Sequence, residues 1–172
     1  MLPKLKLTKK DVESARAVED LEILPLTIEK IMVDPEDGAV VILQSDDKLL
    51  GFPLNAIEGT LLSFVLSGLS DDSHIVTIPQ LLLRFLGDQG TVVKSVTLES
   101  KVGDIIYASC AFQDRKHREF YAIVSIGDGL VLATLAGAKL GVVRRVRDAM
   151  DEFDDWPYQD SIGEYDIEDD DA

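Results

Sequence analysis

The stretch YAIVSIGDGLVLATLAGAKLGV, residues 121–142, sets one acid, Asp128, between two glycines in a largely apolar run. Such a segment could cradle a phosphate on free N–H groups at a helix start, carry the remains of a catalytic motif, or simply turn a strand into a helix. Asp128 would repel an anion bound there, and its position suits a helix cap. Two basic clusters are the other groups with chemical potential: Arg115, Lys116, His117 and Arg118, then Arg144, Arg145 and Arg147. Clusters of this kind bind phosphate without specificity, so nucleic acid is a candidate ligand. The alternatives are an ordinary solvated turn for the first and a docking surface for the acidic C-terminus for the second.

The common catalytic signatures are missing. The chain has no P-loop, no GxGxxG and no GxSxG, and its two histidines and one cysteine cannot supply a zinc finger. His74 falls in a polar loop and His117 in a basic turn, both reading as surface positions. Cys110, flanked by apolar residues, reads as a buried strand residue. A lone cysteine makes no internal disulfide, which points to a reducing, cytoplasmic setting.

These groups have to be positioned by one domain of ordinary size, since 172 residues with 46% apolar content can bury a real core. No run approaches a membrane span, and the basic start MLPKLKLTKK has no apolar segment behind it, so it does not read as a secretory signal. The net charge of −15 is concentrated at one end. Asp148–Ala172 holds 12 acids and no Lys or Arg, leaving 20 acids against 17 bases in residues 1–147, a net −3. The tail reads as solvated and disordered. Its aromatics set among acids also suit a segment that docks on a basic surface, in cis or on a protein partner.

Along the chain, Thr8 and Asp11 suggest a capped N-terminal helix. From Leu26 three β-type runs follow, LTIEKIMVD, AVVILQS and KLLGFPL, with turns at Asp37-Gly38 and Asp46-Asp47. Pro53 belongs at a strand end or edge. Asn55 and Glu58 form a capping-box pattern, and Ile57, Leu61, Leu62, Val65 and Leu69 give one apolar helical face. Thr77 caps a second helix with Pro79 in its first turn and Gly87 as its stop. TVVKSVTLES, DIIYASCAFQ and EFYAIVSI make a second meander. A short helix over about 130–136, ended by Gly137, precedes a strand KLGVV, and RRVRDAMDEF supplies a last short helix. Hairpins dominate and regular βαβ alternation is missing, so the fold class is α+β: two antiparallel meanders flanking two helices, then a helix and a strand. Residues 1–25 form an N-terminal helical extension, 26–147 the body and 148–172 the acidic tail.

Residues 26–147 resemble the bifunctional nuclease domain family. MVDPEDGAVVILQSDDKLLGFPLNAIEG is similar to its opening hairpin and acid-bearing helix start, TIPQLLLRFLGDQGTVVKSVTL to its middle block, and FYAIVSIGDGLVLATLAGAKLGVV to its final block. The resemblance implies a divalent-metal nuclease (a phosphodiesterase) on DNA or RNA, with Glu58 and Asp128 as catalytic metal ligands for Mg²⁺ or Mn²⁺. Arg115, Lys116 or Arg118 would steer the backbone. The chain departs from the family where His-Asp is usual, having Ile78-Pro79, and where Arg-Pro-Ser-Asp is usual, having Ser125-Ile126-Gly127-Asp128. Both retained acids have capping explanations, Glu58 with Asn55 and Asp128 at its own helix. The alternative is a catalytically silent homo-oligomeric module whose acidic tail binds a basic partner or the chain's own Arg144–Arg147 surface.

Overall fold

The computed structural model describes residues 22–34, 38–68, 76–100 and 106–150. Thr8, Asp11, His74 and the acidic tail beyond Met150 lie outside them. Twelve elements are described: β1 (Ile23–Pro25), β2 (Thr27–Asp34), β3 (Gly38–Ser45), β4 (Lys48–Leu54), α1 (Ala56–Leu66), α2 (Ile78–Asp88), β5 (Val92–Ser100), β6 (Ile106–Gln113), β7 (Glu119–Val124), α3 (Ile126–Ala136), β8 (Lys139–Val143) and α4 (Arg144–Ala149). The class is α+β, as the pattern of elements predicts.

The first meander is a three-stranded antiparallel sheet, β2-β3-β4. Its inward side chains alternate, Ala39, Val41 and Leu43 on β3 with Leu50, Phe52 and Leu54 on β4, all buried. Pro53 lies on β4, an edge of this sheet, where its missing N–H costs no ladder bond. Leu62 and Val65 of α1 pack into the same core. The approach is close: a Cβ on Gly59 would overlap the Cβ of Ala39.

The second sheet has five strands in the order β1-β8-β5-β6-β7. β5, β6 and β7 are the expected antiparallel meander, whereas β8 returns to lie parallel to β5, with Ser95 opposite Lys139 and Leu98 opposite Val142. On its outer edge β8 pairs antiparallel with β1, Ile23 opposite Val143. Ile23–Pro25, read from the sequence as the end of an extension, thus belong to the sheet of the body. Val96, Leu98, Ala108, Cys110 and Phe112 point inward and meet Leu130, Val131, Leu132 and Ala133 of α3.

α3 is longer than its sequence reading. It starts at Ile126 rather than near Leu130, because Ser125 caps it: its Oγ accepts the Asp128 N–H at 3.1 Å. Asp128 is the third residue of the helix and does not cap it. Gly137, at φ 59°, ends it as expected. α2 also runs past its anticipated stop at Gly87, and the left-handed residue is Gly90 (φ 72°).

Candidate functional site

Glu58 and Asp128 occupy the first turns of α1 and α3, and the two helix starts meet. At α1 the capping box is complete, with Asn55 Oδ1 accepting the Glu58 N–H at 2.9 Å and Glu58 Oε2 accepting the Asn55 N–H at 3.2 Å. The stem of Glu58 lies on the backbone of Gly127, where a Cβ would come 2.7 Å from Glu58 Cβ and 2.8 Å from its Cδ. Glycine at 127 therefore lets the half-buried Glu58 sit beside the segment carrying Asp128. Both acids stand in the first turns of their helices, at the positive ends of the helix dipoles.

Asp128 is exposed, and its carboxylate accepts no hydrogen bond among the described residues. Its charge reaches Cys110 beneath it. Burial first, and then that charge, push the Cys110 thiol up to about 11. Native Cys110 should therefore alkylate at pH 8 at least ~100-fold more slowly than the unfolded chain, measured with iodoacetamide. The linked stability is fully present below the ordinary thiol value near 9 and is lost as pH rises through about 11, where the folded thiol ionises too. Denaturant midpoints falling between pH 9 and 11, and falling less in Cys110→Ala, where the raised Tyr107 still contributes, are the expected readout.

As a metal centre the arrangement offers two carboxylates, with water left to complete the shell. Mg²⁺ and Mn²⁺ collect about six oxygens, and one oxygen of Glu58 is committed to a cap. Among the described residues no group of three or more His, Cys, Asp and Glu is placed to hold an ion.

The first basic cluster does not join these acids. It lies at the β6–β7 turn, where Gln113 pairs with Glu119, while α3 leaves from the other end of β7. Six strand residues at ~3.3 Å each separate the two by about 20 Å. Within the turn, Asp114 accepts the Lys116 and Arg118 N–H groups at 2.8 and 3.0 Å and the Arg118 guanidinium at 2.7 Å. These bonds, led by those from Arg118, hold the Asp114 carboxyl below its ordinary range. Arg115 lies across Gly90 and donates to the Asp88 carbonyl at 2.9 Å, closing the end of α2.

The second cluster sits at the same end of the five-stranded sheet as Asp128, three strands away, about 14 Å at ~4.8 Å per strand. Two of its members are engaged. Arg144 pairs with Glu22 at 2.7 Å, and Arg147 bridges Asp47 at 3.2 Å and Asp148 at 3.7 Å. Lys48 Nζ donates to the Arg147 and Met150 carbonyls, fixing the end of α4 to the β3–β4 turn. Arg145 is the exposed member of the three.

Sequence reasoning missed the most conspicuous surface. Ile78, Leu81, Leu82 and Phe85 of α2 stand 83, 61, 43 and 61% exposed, while Leu83 and Leu86 on another side of the helix pack on the core. The signal was present: IPQLLLRFLGD is apolar around more than half its circumference, too much for one buried face. α1 buries Leu62 and Val65 and leaves Ile57 80% exposed. The open face of the five-stranded sheet carries a shallow depression of about 350 Å³ lined by Lys94, Thr97, Glu99, Ser109, Tyr121 and Lys139 among others. Its charges are mixed. No helix among the described residues is long and apolar enough to cross a membrane. No protein-family model matches the chain, and no curated protein matches it.

Proposed function

We propose that this chain acts by assembly rather than turnover, as a catalytically silent interaction module. The apolar face of α2, exposed among the described residues, carries this reading. A contiguous stripe of large apolar side chains costs solubility and marks an interaction site on a folded domain. The polar groups point the same way: Glu58, Arg115, Arg118, Arg144 and Arg147 all have structural duties. With Arg144 and Arg147 engaged by neighbouring acids, the acidic C-terminal segment finds its complement on a basic protein partner. The single, buried cysteine suits the cytoplasm.

One observation favours a second reading, a divalent-metal nuclease on DNA or RNA: the packing of Glu58 on Gly127 brings the acids implied by the family resemblance to one place. Cleavage of labelled single- and double-stranded DNA and RNA, with Mg²⁺, Mn²⁺ or EDTA, separates the two. The assembly reading expects no cutting by the full chain under any condition. Metal-dependent cutting that disappears in Asp128→Ala would overturn it in favour of the nuclease. A truncation for such work should end after Met150, because cutting at Arg147 removes the carbonyl of Met150 that Lys48 holds.

A further inference from the structure

We infer that the apolar face of α2 is covered by the same face of a second copy of this chain, the two helices running antiparallel about a two-fold axis. The inference rests on the assembly reading and names its partner. Ile78, Leu81, Leu82 and Phe85 follow the i, i+3, i+4, i+7 spacing of one helical stripe. Their order is self-complementary. A two-fold through the middle of the stripe sets Ile78 of each copy against Phe85 of the other, and Leu81 against Leu82, so each large side chain meets an apolar one. A two-fold contact requires this self-matching.

The charges agree. Gln80, Arg84 and Asp88, four residues apart, line one border of the stripe as a polar rim, and the stripe itself carries none. A second copy therefore brings no charge into the centre of the contact. Residues 151–172 hold 11 acids, which would be drawn onto an apolar surface bordered by Asp88 with only Arg84 on this helix to answer them. The area also fits. The four exposed side chains, with Val76 (45% exposed) just before the helix, offer on the order of 600 Å² per copy. Two copies reach the ~1,000 Å² or more at which specific interfaces begin. An interface of that size falls with the small, transient contacts rather than the obligate ones.

The test is the molar mass of the full chain between 1 and 200 µM, by sedimentation equilibrium, for the wild type, Leu81→Glu, Phe85→Glu and Ile123→Glu. Ile123 is 56% exposed on the sheet face turned away from the helices and serves as the control. Circular dichroism establishes that each variant is folded; all three substituted positions are exposed, so a surface change should be tolerated. The expected result is a wild type and an Ile123→Glu variant that pass from 18.9 kDa to twice that mass, with Leu81→Glu and Phe85→Glu weakened at least 100-fold. A folded Phe85→Glu that dimerises like the wild type overturns the inference but leaves assembly standing through another surface. A wild type that stays monomeric at 200 µM overturns the inference, and if it also cuts nucleic acid through Asp128 the assembly reading falls with it.

Discussion

Replacing Gly129 with valine should lower folding stability by about 3 kcal/mol, near the top of the overpacking range. α3 rests so closely on β6 that even a Cβ at this position would overlap the Cβ of Ala108 and stand 3.2 Å from Val96 Cγ1. Neither neighbour can swing away, since Ala108 has only its Cβ and Val96 is fully buried in the central strand. The helix would have to lift, opening its contacts to the five-stranded sheet and to α1. Urea unfolding followed by circular dichroism should show a lower midpoint with an unchanged slope. A Gly129→Ala, Ala108→Gly double-mutant cycle should give a coupling above ~1 kcal/mol, because the pair competes for one space. Independent, additive effects would mean that α3 does not sit where it is described.

Phe52→Ala should be as damaging for the opposite reason, with a loss of about 3–5 kcal/mol. Phe52 is 1% exposed on β4 and fills the space between the three-stranded sheet and the rest of the core. Its removal leaves a void that a two-sided core cannot close. For a chain of this length each kcal/mol moves the melting temperature by roughly 2–4 °C, so a drop of about 6–20 °C is expected by thermal scanning. Ile57→Ala, at an 80% exposed position, should stay within about 0.5 kcal/mol of the wild type.

The parts of this fold that were legible in the sequence are those fixed by neighbours in the chain. Asn55 with Glu58 and Thr77 with Gln80 form capping boxes, and the first marks the start of α1 in the sequence because both partners lie within one turn. The β3–β4 and β6–β7 hairpins follow from turn residues between β-type runs. What needed the structure depends on distant partners. β1 is three residues long, too short to show alternation, and exists because Val143 is opposite Ile23. The parallel pairing of β5 with β8 leaves no local mark in either strand.

The candidate site divides the same way. That Glu58 has a capping role was readable, but that its stem lies on Gly127 was not, because 69 residues separate them. The cap of α3 went to Asp128 in the sequence reading because the glycines on either side looked like a turn. They are helical instead, with Ser125 capping, and both are buried as close-packing positions. Likewise, seven basic side chains looked free as a list of residues. Glu22, Asp47 and Asp114, the acids that engage three of them, include two that lie some hundred residues away in the chain.

The pairing of β1 with β8 has a consequence for how the chain is made. Ile23 emerges from the ribosome 120 residues before Val143, a delay of roughly 6–24 s at ~5–20 residues per second. Throughout that interval the first strand of the body has no partner to pair with, and the Glu22 carboxylate waits for Arg144. This edge of the sheet therefore closes only after β2 to β7 have been made. A pause or premature stop before Leu140 would release a chain with the three-stranded sheet able to form and the five-stranded one left open.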